Sequence, residues 1–226
     1  MAELKPCPRC GGMPEFRKEY IETAFGIDMP FVYMEGGIFG EGTENVEFVE
    51  PYYISTFLVT QQQWTNVMGT SQGELLKQCE FCDSGNSDGA KYPVYCVTPQ
   101  DALDFCKALS SMSGLNYDLP TIAEWEMAAN TPSQAYVYSG SNEFSEVGWI
   151  EKSMPIGLKK ANSYGIYDMT GNVAEFCKDS SEYVLKAGKP WGSLDVSTKY
   201  TFRDITVDTS SPYIGFRVVI RVSTNQ

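Results

Sequence analysis

Histidine is the residue that this chain lacks entirely, since none of its 226 positions carries one. The absence excludes Ser-His-Asp and Cys-His catalytic arrangements, because both need an imidazole base. It also excludes every metal site with an imidazole ligand. An enzyme built on this sequence would have to use carboxylates, cysteines, tyrosines or a bound cofactor.

Long apolar runs are missing as well. No stretch approaches the roughly 20 apolar residues that a membrane-spanning helix needs, so we expect no membrane insertion. Residues 1–7, Met-Ala-Glu-Leu-Lys-Pro-Cys, lack the apolar segment of a secretory signal. These features predict no signal peptide and cytoplasmic synthesis in a reducing compartment. They are also compatible with a virion-associated protein released by lysis.

Clusters of positive charge are the third absence. The formal net charge is −12, with Lys and Arg scattered along the chain. Such an acidic surface repels polyanions, which argues against nucleic acid or anionic lipid as a partner. The hydrophobic content of 42% and the aromatic content of 13% are sufficient for a sizeable core.

The patterns that are present predict short elements. Residues 31–39 are typical of two strands joined by a glycine turn, and residues 52–59 of a further strand. Three segments begin with a threonine at a helix-cap position, and two of them are followed by a glycine at the end. The predicted helices extend over residues 60–69, 98–114 and 121–129.

Beyond residue 131, loops rich in Ser, Gly and Asn alternate with short aromatic strands. The predicted class is therefore α+β, with short helices, many short strands and long loops. We predict two units: an N-terminal cysteine knuckle at residues 1–29, packed on the main domain, and the main domain at residues 30–226. Long ordered loops in a compact domain usually carry the function.

Seven motifs occur in a fixed order along the chain, at residues 31–37, 59–64, 92–94, 119–126, 162–177, 184–188 and 215–218. The longest reads Asn-Ser-Tyr-Gly-Ile-Tyr-Asp-Met-Thr-Gly-Asn-Val-Ala-Glu-Phe-Cys at residues 162–177. Together they resemble the formylglycine-generating enzyme (sulfatase-modifying factor) family. The resemblance covers about residues 30–220 and implies a C-type lectin-like fold of the formylglycine-generating-enzyme type.

The resemblance also implies which residues catalysis would need. The oxygenase members of the family use two cysteines, assigned to copper, in a loop that corresponds to residues 191–203 here. This stretch has no cysteine, and neither Ser nor Thr replaces thiolate as a Cu(I) ligand. A related branch, the ergothioneine-pathway sulfoxide synthases, needs iron-binding histidines. We therefore expect no catalytic residues and a protein that is not an enzyme.

Some proteins with this fold are receptor-type binding proteins that retroelements diversify at the adenines of a C-terminal cassette. The targeted codons can then encode many residues, but not Lys, Glu, Gln, Met or Trp. These five types make up 51 of the 226 residues, yet Lys199 alone represents them in residues 193–214. The depletion favours a diversified segment, and an ordinary β-rich loop is the alternative.

The composition of residues 193–214 suits a binding surface for a protein or glycan ligand on a cell surface. Tyr200, Phe202 and Tyr213 offer rigid apolar area, and the Ser, Thr and Asp side chains offer hydrogen bonds. Alternatively, Val196, Phe202 and Ile205 are core residues of paired strands. The predicted contact residues are Ser193, Asp195, Ser197, Thr198, Tyr200, Thr201, Phe202, Asp204, Thr206, Asp208, Ser210 and Tyr213.

Cysteines at CxxC spacing predict a metal site. Cys7 with Cys10 and Cys79 with Cys82 each present two thiolates from one tight turn, which suits tetrahedral zinc. If the N-terminus packs beside the loop that follows the first helix, all four meet in a closed, structural zinc site. Two disulfides or unpaired thiols are the alternatives.

Five further residues are candidates for buried or metal-binding roles. Cys96, Cys106 and Cys177 lie in apolar contexts, so we expect buried side chains. Asn172 and Glu175 match family positions that help to bind a structural calcium. Hydrogen bonds that brace the loop are the alternative for this pair.

The sequence therefore favours a non-enzymatic, receptor-type ligand-binding protein that is encoded by a phage or prophage and diversified by a retroelement. One alternative is an enzyme of the same fold with an unrecognised site. Another is a structural or assembly subunit that forms stable oligomers.

Overall fold

The computed structural model describes most of the chain. The described residues are 19–22, 28–40, 46–79, 88–130, 136–178, 184–188, 190, 203–204 and 210–222, with the backbone alone for 19–22, 184–187 and 203–204. The helices are α1 (Gln61–Met68), α2 (Gln72–Gln78), α3 (Pro99–Ser113), α4 (Ile122–Ala129) and α5 (Phe144–Val147). The strands are β1 (Glu19–Glu22), β2 (Met29–Met34), β3 (Gly37–Phe39), β4 (Glu47–Val49), β5 (Tyr52–Ser55), β6 (Tyr117–Asp118), β7 (Ala174–Lys178), β8 (Val184–Ala187), β9 (Arg203–Asp204), β10 (Ile214–Gly215) and β11 (Val219–Arg221).

An antiparallel sheet of five strands, in the order β1-β2-β5-β11-β6, forms the centre of the fold. β11 comes late in the sequence but lies between β5 and β6. Its residue Val219 pairs with Ile54 on one side and with Asp118 on the other. β11 directly follows the motif at residues 215–218, the C-terminal motif, so the end of this motif is anchored in the interior of the sheet.

β1 extends this sheet at one edge. Its residues belong to the predicted N-terminal unit 1–29, but they pair with β2 from Glu19↔Val32 to Glu22↔Met29. Residues 19–22 are thus part of the main sheet. The knuckle predicted nearer the N-terminus lies outside the described residues.

The helix caps are confirmed. Thr60, Thr98 and Thr121 each accept a hydrogen bond from a backbone amide of the first turn and complete a capping box. α1 and α3 end at Gly69 and Gly114, whose φ angles are 72° and 77°. Glycine adopts this left-handed conformation at little steric cost, which explains why both helices end there. Among the described helices, none is long and apolar enough to cross a membrane.

Two clusters of buried side chains make up most of the core. In the first, Trp64 of α1 stacks on Phe105 of α3 with ring centroids 5.7 Å apart, and Phe216 meets both rings edge-on. The second surrounds Trp125 of α4, which is fully buried. Burial of each such side chain contributes on the order of 1.5–3 kcal/mol, so these clusters dominate the folding energy. The α+β class with short helices and many short strands is confirmed.

β3 and β4 form a separate two-stranded ribbon. Gly36 connects β2 to the ribbon with a φ angle of +70°, and a Cβ atom there would lie 2.2 Å from the Val49 carbonyl oxygen. The close approach of β4 therefore requires glycine at this position.

A second sheet, in the order β10-β7-β8-β9, completes the described strands. β7 pairs antiparallel with β8, and β8 pairs antiparallel with β9. β10 runs parallel to β7 at the other edge.

Candidate functional site

The second sheet contains the strands nearest in sequence to the segment that is predicted to bind a ligand, residues 193–214. β8 precedes this segment, β9 interrupts it, and β10 begins at its end. β9 and β10 occupy opposite edges of the sheet, with β8 and β7 between them. Residues 205–213 must therefore connect the two edges, a separation of about 14 Å for three inter-strand steps of about 4.8 Å each.

The structure describes Asp204, Ser210 and Tyr213 among the predicted contact residues. The backbone of Asp204 pairs with Leu185 in β8. Tyr213 has a side chain that is 41% exposed, while its carbonyl oxygen accepts a hydrogen bond from the Ala174 amide at 2.8 Å. A fixed backbone thus presents this ring to solvent. The other predicted contact residues lie outside the described residues: Ser193, Asp195, Ser197, Thr198, Tyr200, Thr201, Phe202, Thr206 and Asp208.

Residues 210–215 are held against the loop at residues 93–97. The Cys96 amide donates a hydrogen bond to the Ser211 carbonyl oxygen at 3.1 Å. A Cβ atom at Gly215 would lie 2.6 Å from the Val94 carbonyl oxygen, so β10 can approach the loop only without a side chain there. These contacts fix the C-terminal end of the candidate binding segment.

A buried ion pair connects β7 with the C-terminal motif. Arg217 donates to Glu175 through Nε at 2.6 Å and through Nη2 at 2.9 Å, and both side chains are almost completely buried. The guanidinium also donates to the carbonyl oxygens of Ser55, at 3.1 Å, and Tyr167, at 3.0 Å. This bidentate arrangement, with at least one hydrogen bond from each guanidinium nitrogen, fixes four chain segments relative to one another. The sequence patterns did not indicate the pair, although an arginine in the apolar run 214–220 was an available signal.

Asn172, a predicted calcium ligand, braces a loop. The residue is fully buried, with a left-handed φ angle of 62°. Its Oδ1 atom accepts hydrogen bonds from the Ser153 hydroxyl at 2.9 Å and the Met154 amide at 3.1 Å, while Nδ2 donates to the Met154 carbonyl at 3.0 Å. Glu175, the second predicted ligand, binds Arg217, whose charge repels a cation. The geometry therefore favours bracing hydrogen bonds over calcium.

Asp168 is a buried carboxylate next to this group. Its φ angle is 57° and its side chain is 3% exposed. Oδ2 accepts a hydrogen bond from the Gly157 amide at 2.8 Å, whereas Oδ1 has no hydrogen-bond partner among the described residues. Burial raises the pKa of Asp168 above its usual range, although the Gly157 bond and the charge of Arg217 oppose the rise. This environment favours the protonated carboxyl.

The described cysteines are of two kinds. Cys79 and Cys96 are disulfide-bonded and lie with Tyr95 in a small buried cluster. Cys106 and Cys177 are free, and burial raises the pKa of both thiols. Cys96, Cys106 and Cys177 are buried, as predicted. The disulfide at Cys96 was not predicted.

The zinc prediction can be compared with the structure at Cys79 alone. A disulfide sulfur is not a thiolate, so the oxidised Cys79 does not supply the zinc ligand that the prediction requires. Cys7, Cys10 and Cys82 lie outside the described residues, so the complete site stays a prediction. Within the described part of the chain, no three or more Cys, Asp or Glu side chains form a metal-binding group.

The described thiols do not fit the copper centre of the oxygenases. Cys106 belongs to the first core cluster and Cys177 to the second. Buried thiols with raised pKa values, in separate clusters, do not provide the paired thiolates that Cu(I) requires.

The two sheets, the short capped helices and the buried pair at the C-terminal motif define a C-type lectin-like fold of the formylglycine-generating-enzyme type. The model of the family "Sulfatase-modifying factor enzyme 1-like domain" matches residues 29–222. The chain belongs to this family.

Two curated relatives show how varied the family is. The Paenibacillus barcinonensis protein named "Chaperone protein LppX" is 30% identical over 65% of this chain and 70% of its own length. The Bos taurus protein named "Inactive C-alpha-formylglycine-generating enzyme 2" is 29% identical over 59% of this chain and 52% of its own.

A solved structure with a similar fold is Treponema denticola variable protein 1. The TM-score is 0.73 at 21% identity, and the match covers 92% of this chain and 100% of that protein. At this identity, the likeness shows a shared fold.

Proposed function

We propose that this protein is a non-enzymatic, receptor-type binding protein whose residues 193–214 form the contact surface for a protein or glycan target. One observation carries the proposal. The chain between β8 and β10 of the second sheet contains no cysteine, although it includes residues 191–203, which by resemblance correspond to the catalytic loop of the enzymes.

The sheet is well suited to display a variable segment. The buried ion pair of Glu175 with Arg217 and the close approach at Gly215 involve residues outside the segment, and the contacts of Ser211 and Tyr213 within it are made by their backbone. Substitutions within residues 193–214 would leave these contacts in place, since loops on a rigid scaffold tolerate change. Tyr213 illustrates the display, because its backbone is hydrogen-bonded and its ring is partly exposed.

Diversification by a retroelement, in a phage or prophage, belongs to the same proposal. The depletion of five residue types in residues 193–214 supports it, with Lys199 as the one exception. The shared fold with Treponema denticola variable protein 1 supports it as well. A relative that is named a chaperone protein supports a polypeptide as the target class.

Binding experiments with matched variants test the contact surface. The protein is screened against arrayed glycans and displayed cell-surface proteins, and the affinity for each hit is then compared between wild type and Tyr213→Ala, Tyr200→Ala and Phe202→Ala. We expect a loss of about tenfold or more for at least one aromatic variant, since aromatic anchors dominate such interfaces. The matched control is Leu158→Ala, which removes an exposed apolar side chain outside the segment. Equal affinity of all the variants would exclude residues 193–214 as the contact surface.

An oxygen-consumption assay distinguishes the enzymatic alternative. The protein is incubated with copper and a cysteine-containing peptide, and the rate is compared with copper and peptide alone. We expect no increase, because the described thiols are buried and separated between two core clusters. A protein-dependent rate that Cys106→Ser or Cys177→Ser abolishes would contradict the proposal.

A further inference from the structure

The ribbon β3–β4 carries an apolar patch on its outer face. Ile38 and Phe48 are directly opposite each other across the strands, and they are 61% and 65% exposed. Val46 is 60% exposed and immediately precedes β4, two residues before Phe48. Directly opposite side chains on one face of a ribbon are neighbours. Ile38, Val46 and Phe48 thus form a continuous surface, the outer patch.

The inner face of the ribbon is fixed to the core. Val49 is 4% exposed and belongs to the second core cluster, and Phe39 packs against the same cluster. The close backbone approach at Gly36 holds the base of β4. The outer patch therefore lies on a well-packed element, and core packing does not explain its apolar side chains. A contiguous exposed apolar patch on such an element is typical of an interaction site.

The ribbon lies in the most acidic part of the sequence. Residues 19–76 contain nine Asp and Glu residues and no Lys or Arg. Among these acidic residues, Glu35 and Glu50 are exposed beside the ribbon, and Glu47 is exposed on its opposite face, across from Phe39. An apolar patch with a carboxylate rim complements apolar side chains that are flanked by cations.

We propose that the outer patch docks an extended segment of a partner protein in which apolar residues alternate with Lys or Arg. The apolar side chains of this segment cover Ile38 and Phe48, and its cations pair with the surrounding glutamates. A second copy of this chain is a poorer occupant, because it would place two acidic ribbons together in a protein of net charge −12.

Fluorescence anisotropy with a labelled Lys-Val repeat octapeptide tests the proposal. We expect binding at about 50 mM salt that weakens at about 300 mM, because the ion pairs are screened. Ile38→Ser and Phe48→Ser should each lower the affinity about tenfold through the loss of apolar contact. Leu158→Ser makes the same type of change at a 59% exposed position outside the ribbon and should leave the affinity unchanged. Thermal unfolding of each variant checks that the fold is intact.

Three results would overturn this inference. Equal binding by wild type and Phe48→Ser would show that net charge alone attracts the peptide. If a Glu-Val repeat peptide bound as tightly as the Lys-Val peptide, the glutamates beside the outer patch would not select a cationic segment. A concentration-dependent dimer that Phe48→Ser dissociates in sedimentation would identify a second copy as the occupant. Since the outer patch lies outside residues 193–214, each of these results leaves the proposed contact surface untouched.

Discussion

At the scale of single residues, Arg217 and Glu175 connect the C-terminal motif to β7. Their ion pair is almost completely removed from solvent, and carbonyl oxygens from two other segments complete the guanidinium's hydrogen bonds. Removal of one partner from such a pair leaves an uncompensated buried charge, which is much more costly than the loss of a surface pair. The pair therefore holds β7 and the C-terminal motif in a fixed position relative to each other.

The substitution Glu175→Gln tests this role. We expect the free energy of unfolding to fall by about 3–5 kcal/mol, measured by urea denaturation, because Arg217 remains buried without its counter-charge. Asp104→Asn is the control, since it breaks a pair with Lys107 whose side chains are 71% and 46% exposed. It should change stability little. A similar small effect at both positions would show that the buried pair has no special role.

Asp168 predicts a pH dependence of stability. Burial raises the pKa of its carboxyl in the folded state, whereas the unfolded value is about 3.9. Between these two values the folded state binds more protons than the unfolded state, so stability is lost as the pH rises through this window. Asp168→Asn cannot ionise and should lack this loss. Urea denaturation at a series of pH values from about 4 to about 7 should show the variant gaining stability relative to wild type as the pH rises. If the free energy of unfolding of wild type and of Asp168→Asn changed with pH in the same way, the raised pKa of Asp168 would be contradicted.

At the scale of elements, glycines determine where the ribbon begins and where the first helix ends. Gly36 and Gly69 have nearly the same left-handed φ angle, 70° and 72°, but different surroundings. A Cβ atom at Gly69 would have nothing within 4 Å, whereas at Gly36 it would lie 2.2 Å from the Val49 carbonyl oxygen. Alanine at position 69 would therefore add backbone strain alone, whereas alanine at position 36 would add both backbone strain and steric overlap with β4.

Alanine substitutions at these positions test the attachment of the ribbon. Gly69→Ala should cost about 1–2 kcal/mol, the strain of a left-handed non-glycine residue. Gly36→Ala should be clearly more destabilising in thermal unfolding, because backbone atoms of β4 must move. If both variants had the same melting temperature, the close approach at Gly36 would be incorrect.

Local chemistry explains which elements could be predicted. Each of the three threonine-capped helices has its start signal within a few residues of sequence, and two of them also have a glycine stop signal. The structure confirms these signals. α2 has the same type of capping box at Ser71 and Glu74, so its signal was present and was overlooked. β6, β9 and β10 are two-residue strands. Their strand conformation depends on partners distant in sequence, which no local pattern reveals.

The candidate site also combines features that a local sequence pattern indicates with contacts between residues that are distant in sequence. The segment 193–214 could be identified from its position between motifs and from its composition. The Glu175–Arg217 pair spans 42 residues of sequence, so residue type alone did not connect its members. The cysteine spacing indicated a metal, but spacing does not specify the oxidation state, and Cys79 is disulfide-bonded.

At the scale of the whole molecule, the described residues form a scaffold of two sheets and short helices. β11 lies between β5 and β6 in the central sheet, two clusters of buried side chains fill the core, and the second sheet contains β8, which precedes residues 193–214, and β10, which begins at their last residue. Residues 191–203, which by resemblance correspond to the loop with the catalytic cysteines of the enzymes, contain no cysteine. This combination is the basis for proposing a binding protein whose contact residues can vary while its fold is maintained.

Sequencing the DNA around the gene tests this central claim most directly. We predict a near-copy of codons 191–217 beside a reverse-transcriptase gene, with the differences between the copies concentrated at adenines of the template. The codons for Gly215 and Arg217 should be unchanged, because their contacts hold the scaffold. Absence of such a copy, or differences spread evenly over all bases and codons, would contradict a diversified contact surface.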